Sequence, residues 1–431
     1  MSALPRHLLP ETAEVDDHGR LWIGGRDVEA LAEEHGTPLF IYDESHLRAR
    51  CQEAVAAFPD GVAYATKAFL CRAMAALAHE EGMLLDVASG GELHVARAAG
   101  VPADRLILHG NNKDEGELRL AREVGVGRIV IDCFDDFDRL ERLVADARAG
   151  GHAGGRRVPV LVRVTPGVEA HTHEYIRTGQ VDSKFGFGLA SGAAEAAIDR
   201  AHASAAVDLI GIHVHIGSQV FVADFFHQAV DVVAPFIRRW ALPEFIVGGG
   251  LGIAYVEGEE APTITEWGKR VRDACQAAGI EARVLAEPGR AIVAAAAITV
   301  YRVGTIKELP GIRTYAAVDG GMSDNPRPVL YGSGYEAFLP RATLAERPRV
   351  VTVVGKHCES GDVLVRDARV PNDLRVGDLL ATPVTGAYGH SMGSNYNKVL
   401  RPPVVFVRDG EARLVVRRET YDDLLRTDVG R

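Results

Sequence analysis

Eight short runs rich in aliphatic and β-branched residues recur along the first two-thirds of the chain, and helix-like stretches separate most of them. The runs are Val62–Lys67, Met83–Ala88, Leu106–His109, Arg128–Asp132, Val160–Val164, Leu209–Ile216, Phe245–Gly249 and Arg283–Glu287. Two of the intervening stretches are Leu70–Glu81 and Glu115–Val124, and in the second Leu118 and Leu120-Ala121 alternate with charges at helical spacing. Strands that alternate with helices form parallel sheets, because parallel strands need crossover connections. Eight such units in roughly 230 residues fit a (β/α)8 barrel. A doubly wound open sheet is the alternative that periodicity leaves open.

After Arg290 the helix signals fade. Val- and Thr-rich runs at Ile298–Val303, Thr314–Val318, Val350–Val354, Asp378–Pro383 and Val404–Val407 are separated by Gly, Pro and Asp, as in a mostly β domain. Leu21-Trp22-Ile23 and Leu39-Phe40-Ile41-Tyr42 also look strand-like and are expected to join that domain from the other end of the chain. The expected organisation is an N-terminal segment 1–42 that completes the β domain, a barrel at 43–290, and a C-terminal β domain at 291–431.

Composition narrows the function classes. A chain of 431 residues, 47% hydrophobic, can bury a large core. The net charge of −11 argues against a nucleic-acid partner, which needs a basic face. Cys51, Cys71, Cys133, Cys275 and Cys358 form no CxxC pair and are odd in number, so neither a disulfide scaffold nor a structural zinc site is expected. Glu11, Glu14, Asp16 and Asp17 stand where a signal peptide would be apolar, and the longest apolar run, Ala291–Tyr301, is too short to span a bilayer. A soluble cytoplasmic protein without a membrane partner is expected.

In a (β/α)8 barrel the working residues sit at the C-terminal ends of the strands. The first strand ends in Ala65-Thr66-Lys67, where the lysine reads either as a desolvated amine that forms a Schiff base or as a rim lysine with its stem along the surface. The sixth carries His213 and His215 on one face, open to three readings: a metal pair, an imidazole stacked on an aromatic cofactor, or, favoured for His213, a hydrogen-bonded core histidine. The seventh ends in Gly248-Gly249-Gly250, a phosphate cradle or a tight turn. The eighth ends in Glu287-Pro288-Gly289-Arg290, where Glu287 could hold a protonated ring nitrogen and Arg290 a carboxylate, or the two could pair with each other. Together, an amine, a ring-stacking imidazole, a phosphate cradle and a carboxylate for a ring nitrogen point to one ligand, pyridoxal 5'-phosphate. The rival is a metal-dependent barrel hydrolase, which would want further ligands beside its HxH pair. The β domain adds Asp319–Tyr331 with Arg327, Gly355–Asp362 with Cys358 beside Glu359, and Gly386–Asn397 with Tyr388.

These motifs have a familiar order. YATKA at 64–68, DVASGGEL at 86–93, HGNNK at 109–113, HTHEYIRTGQVDSKFGFGL at 171–189, GIHVHIGSQ at 211–219, EPGR at 287–290, CESGD at 358–362 and GAYGHSMGSNYN at 386–397 resemble the diaminopimelate decarboxylases, pyridoxal-phosphate enzymes of the alanine-racemase-like fold, from about Pro38 to Asp423. The resemblance implies that Lys67 carries the cofactor, His215 stacks on its ring and Glu287 binds the ring nitrogen. It further implies that Ser218, Gly250 and the Glu287–Arg290 segment, with Gly289, hold the phosphate side near Tyr388, and that Asp86 and Arg163 support the lysine and the ring. Arg290, Arg327, Tyr331, Glu359 and Tyr388 would contact substrate. Cys358 would donate a proton across a homodimer interface, and no metal is expected. Lys356-His357 and His390 depart from the residues frequent in relatives.

The implied reaction is decarboxylation of meso-2,6-diaminopimelate to L-lysine and CO2, the last step of lysine biosynthesis by that route. Charge supports it: two arginines, Arg290 and Arg327, with Glu359 suit a substrate whose far end carries both an ammonium and a carboxylate, whereas ornithine, arginine and lysine carry only a distal cation. A decarboxylase for another amino acid, a racemase and a non-catalytic relative are the alternatives. A racemase needs a second base opposite Lys67 and lacks the CES motif, and intact Lys67, Glu287 and Cys358 speak against a non-catalytic role.

Overall fold

The computed structural model describes residues 4–150, 156–167, 183–215, 217–221 and 224–430. Residues 171–182 of the long motif at 171–189 lie outside them. The chain divides into two compact units: Cys51–Gly252 with Ala261–Ala291, and Met1–Arg50 with Ile253–Glu260 and Ile292–Arg431.

The first unit is the barrel. Its strands are Ala63–Ala65, Leu84–Val87, Leu106–Leu108, Arg128–Ile131, Val158–Thr165, Val207–His213, Glu244–Ile246 and Arg283–Leu285, hydrogen-bonded in chain order and all parallel. A parallel bridge between Val62 and Ala286, with Ala63 N donating to Ala286 O at 2.8 Å, closes the eighth strand onto the first. That closure excludes the open doubly wound sheet. Ala63, Leu84, Ile107, Val130, Leu161, Ile246 and Leu285 form one packed layer, with the partly exposed Ile210 against it, so all eight strands contribute a residue. Filled layers of this kind make the barrel a core rather than a pore.

Helix ends follow local chemistry. Glu115–Val124 begins with a reciprocal capping box between Asp114 and Glu117 and ends at Gly125, whose φ of 78° is left-handed. The cap falls directly after the HGNNK motif, whose Lys113 is buried. Lys113 Nζ lies 2.7 Å from Asp136 Oδ2 and donates to Gly110 O at 2.5 Å, tying down the loop that carries His109. Without Lys113, Asp136 would keep Arg139 at 3.5 Å and the Asp132 amide at 3.0 Å, so the loss is that of a charged hydrogen bond, about 1.5–3 kcal/mol. Lys113→Met should therefore lower the unfolding free energy of the barrel by that amount in urea titrations. A loss below about 1 kcal/mol would show that the pair does not hold the loop.

The second unit is mainly β. Its spine is the long strand Ala297–Leu309. The first half of the spine pairs antiparallel with Leu39–Asp43 on one side and Leu379–Pro383 on the other, and the second half pairs with Arg313–Val318. Leu39–Asp43 also runs parallel to Val404–Arg408, so the N-terminal part of the chain completes this sheet. Leu21–Ile23 instead lies in a separate three-stranded sheet with Glu14–Val15 and Arg26–Asp27. Val363–Val370 and Glu411–Val416, like the short Glu14–Val15 and Arg26–Asp27, are strands that the sequence does not announce. The segment Ile253–Glu260, placed in the barrel by sequence, groups with this unit. No helix among the described residues is long and apolar enough to cross a membrane.

Candidate active site

Alternation along a strand places residues i and i+2 on one face. Two residues beyond the packed apolar layer stand Asp86 after Leu84, His109 after Ile107, Asp132 after Val130, Arg163 after Leu161 and Glu287 after Leu285. Each is buried, so the barrel carries a polar tier above its apolar one at the C-terminal ends of the strands. His213, at the end of the sixth strand, is in register with Arg163.

Glu287 organises this tier. Its Oε1 lies 3.0 Å from His109 Nε2 and its Oε2 lies 2.9 Å from His213 Nε2. Burial alone would raise the Glu287 carboxyl, but the two imidazoles overcome it and hold it well below the usual carboxylate range. His213 is thus a hydrogen-bonded core histidine. Asp86 Oδ1 lies 3.6 Å from His109 Nε2, and burial pushes the Asp86 carboxyl up to about 7 despite the opposing charge of His109. Arg163 is buried beneath the Phe185 ring, 4.4 Å from its centroid.

Thr66 fixes the turn that carries Lys67: its hydroxyl donates to Asp86 O at 2.8 Å and lies 3.0 Å from Glu92 Oε2. Lys67 itself is exposed, as the rim reading of this lysine has it rather than the desolvated one. The strand ends at Ala65, and a single 3₁₀ turn, Thr66–Ala68, carries the lysine. A Cβ at Gly289 would lie 2.9 Å from Ala65 O, so only glycine lets the Glu287–Arg290 strap lie this close to the Lys67 turn. His215 is half-buried, and its Nδ1 accepts from the Gly249 amide at 3.2 Å, which places the ring proton on Nε2. Burial, with Lys67 and Arg163 nearby, keeps this imidazole neutral. One amide of the glycine run therefore orients an imidazole. At Gly250, φ is +106° and a Cβ would meet Gly217 O at 2.0 Å. Ser218 is half-buried and Arg290 is buried at the start of the short helix Arg290–Val293.

The β-rich unit holds a second polar group. Asp362 joins two loops, accepting from Met322 N at 2.7 Å through Oδ1 and from His357 N at 2.9 Å through Oδ2. His357 Nε2 lies 2.8 Å from Ser323 Oγ, and its ring packs on Tyr396 at 5.4 Å. Cys358 N donates to Asn397 Oδ1 at 2.9 Å, while its thiol and Glu359 are exposed. The three polar segments expected in this domain thus meet. Arg327 is buried, donates from Nη1 to the Tyr335 hydroxyl at 2.6 Å and lies 4.1 Å over the Tyr255 ring. Tyr331 ends the helix Arg327–Tyr331, and Tyr388 adopts a left-handed φ of 62°.

Sequence reasoning missed Tyr255, Tyr335, Asn397 and the partnership of His109 with Glu287. The HGNNK motif marked His109 without giving it a role; nothing in sequence pointed Tyr255 at Arg327.

An ionised buried carboxylate suits a protonated ring nitrogen, a neutral imidazole held edge-on by a backbone amide suits a ring face, and a lysine stands on the adjoining turn. The residues present fit pyridoxal phosphate, and with the barrel they define a pyridoxal-dependent decarboxylase: residues 44–294 match the family model for the pyridoxal binding domain of such enzymes. The relatives are narrower. The diaminopimelate decarboxylase of Bacillus subtilis (strain 168) is 45% identical over 434 residues, covering 97% of each chain. That of Mycobacterium tuberculosis (strain ATCC 25618 / H37Rv) is 46% identical over 447 residues, covering 99% of this chain and 98% of the relative. The crystal structure of the M. jannaschii diaminopimelate decarboxylase in complex with L-lysine superposes with a TM-score of 0.89 at 31% identity, over 98% of both chains. The chain belongs to the diaminopimelate decarboxylase family.

Proposed function

We propose that this protein decarboxylates meso-2,6-diaminopimelate to L-lysine and CO2, with Lys67, Glu287, His215 and Cys358 as its working residues. Bound pyridoxal phosphate supplies an electron sink for the charge left on the substrate carbon when CO2 departs. Lys67 holds the cofactor through Nζ. Glu287, ionised in a buried setting, keeps a proton on the ring nitrogen. His215 presents a neutral ring to pack on the cofactor's face, with Asp86 and Arg163 completing the charge balance around it. Ser218, Gly248, Gly249, Gly250, Gly289 and Arg290 bound the phosphate side, with Tyr388 nearby. Cys358 returns a proton from Sγ to the substrate carbon. Arg290, Arg327, Tyr331, Glu359 and Tyr388 grip the substrate.

The observation that carries the substrate assignment is Arg327. Arg327 is 4% exposed, and among the described residues the partners of its guanidinium are the two tyrosines and no carboxylate. Its Nε has no hydrogen-bond partner there. A buried cation without a counter-ion is costly and suits an anionic ligand. A distal carboxylate supplies one; ornithine, arginine and lysine do not. A hydrogen bond to a charged group contributes about 1.5–3 kcal/mol. Arg327→Gln should therefore lower kcat/KM for diaminopimelate by about ten- to hundredfold, mostly through KM. An unchanged KM in steady-state assays would remove Arg327 from the substrate site.

We further propose a cytoplasmic homodimer in which Cys358 serves the Lys67 of its partner. The five cysteines are free, which fits a reducing compartment, and the Cys358 thiol is presented at the surface of its own chain. Mixing equal amounts of inactive Lys67→Ala and Cys358→Ala chains should restore up to roughly a quarter of wild-type activity in the mixture, since about half the dimers are mixed and each has one intact site of two. No recovery after subunit exchange would mean that each site is built from one chain.

A further inference from the structure

Glu287 is buried in the barrel, yet neither of its oxygens faces a lysine or an arginine at ion-pair distance among the described residues. Both are taken by imidazoles that come from distant strands: His109, 178 residues away, and His213, 74 residues away. The two rings meet edge to face, with centroids 4.9 Å apart and planes at 72°. We propose that His109 and His213 are a pair of positioning residues with divided tasks, His213 a neutral donor that fixes the orientation of Glu287 and His109 the cation that keeps it anionic for the cofactor's ring nitrogen. The inference rests on the reading of Glu287 as the ring-nitrogen partner.

The division follows from what surrounds each ring. His213 Nδ1 is buried without a hydrogen-bond partner. A proton there would be an unsatisfied buried donor, so the ring carries its single proton on Nε2 and donates it to Glu287. Burial pushes this imidazole down to about 4, in keeping with a neutral ring. His109 has two carboxylates beside its Nε2, Glu287 at 3.0 Å and Asp86 at 3.6 Å. Burial opposes its charge, but those two carboxylates outweigh burial and raise it. The other charged groups facing the cluster are Arg163, which disfavours charge on both rings, and Lys67 and Glu92, which act through Asp86. Each carboxylate oxygen offers two lone-pair sites. One imidazole on each leaves Glu287 able to accept a further N–H.

The arrangement differs from an arginine beside a carboxylate. An arginine would remain charged at every working pH and would occupy Glu287 with a forked pair of bonds. One imidazolium and one neutral imidazole supply a single positive charge and two single bonds.

The test uses full-length protein with and without cofactor. Cofactor affinity is measured by absorbance titration of cofactor-free protein, and histidine protonation by nitrogen-15 NMR of the same sample. His109→Gln keeps an N–H donor and loses the charge; His213→Gln keeps a neutral donor; His213→Leu keeps neither. His109→Gln and His213→Leu should each weaken cofactor binding about ten- to hundredfold, and His213→Gln by less than threefold. In cofactor-free wild type, His109 should stay protonated to higher pH than a free imidazole, and Glu287→Gln should reduce that elevation, leaving the share that Asp86 supplies. His213 should remain the neutral Nε2–H form throughout. Glu287→Gln should itself weaken cofactor binding. If it does but His109→Gln binds cofactor like wild type and His109 titrates like a free imidazole, the division of tasks is wrong. If Glu287→Gln leaves cofactor affinity and its absorption band unchanged, the underlying reading of Glu287 fails instead. The NMR readout on wild type stands even if a barrel variant does not fold.

Discussion

Lys67→Ala should lose at least ~10⁴-fold in kcat, the upper end of what a single positioned proton-transfer group contributes, because in the proposed mechanism this residue both attaches the cofactor and stands beside the reacting carbon. The fold should survive. Lys67 is exposed on a one-turn 3₁₀ segment, and the bonds that hold that turn come from Thr66, to Asp86 O and Glu92. A surface substitution of this kind usually stays within about 0.5 kcal/mol of wild type. Thermal melts of the cofactor-free proteins should therefore coincide while turnover vanishes. Borohydride reduction and peptide mapping of the wild type should place the cofactor's mass on the peptide containing Lys67. A label on another lysine would sink the assignment.

The second large effect is expected at Cys358. Its thiol is exposed in its own chain, and its backbone amide is held by Asn397. His357, the residue before it, is held by bonds to Ser323 and Asp362. None of these contacts uses the sulfur, so Cys358→Ala should preserve the loop and cofactor binding. It should slow turnover by about 10²- to 10⁴-fold, or roughly 3–5 kcal/mol of transition-state stabilisation. KM should change little, because the proposed role of the thiol falls on the reacting carbon after binding. Unchanged kcat in Cys358→Ala would mean that another group supplies the proton.

Much of the barrel was legible because its strands are buried on both faces and so read as short unbroken apolar runs, such as Leu106–Leu108 and Ile129–Ile131. Regular helices with strong caps, such as Glu115–Val124, were legible to the residue. The strands that escaped notice lack that signal. Val363–Val370 is interrupted by the exposed pair Arg366-Asp367, with Asp367 at a φ of 50°, and its register slips against its neighbour. Glu411–Val416 is an exposed edge strand with polar residues in most outward positions.

The site shows the same division. Residues that follow the core layer by two places, such as Asp86 and Glu287, could be found by counting along a strand. The bond from His109 to Glu287 could not, because it joins the third strand to the eighth through the barrel interior and appears only once the barrel closes. Tyr255 was hidden for a related reason: it lies between barrel segments in sequence but packs on Arg327 in the β-rich unit. Sequence left Lys67 open between a rim lysine and a desolvated amine, because it lies just past the strand end on a one-turn 3₁₀ segment that strand patterning does not describe.

The protein should select an amino acid with a second carboxylate. CO2 release from meso-2,6-diaminopimelate, measured beside ornithine, arginine and lysine at equal concentration, is the decisive measurement. Release is expected from diaminopimelate with L-lysine as the product, and at least about 10²-fold lower kcat/KM for the three substrates that would leave the Arg327 charge unpaired. Comparable or faster release from ornithine, arginine or lysine would contradict that selectivity.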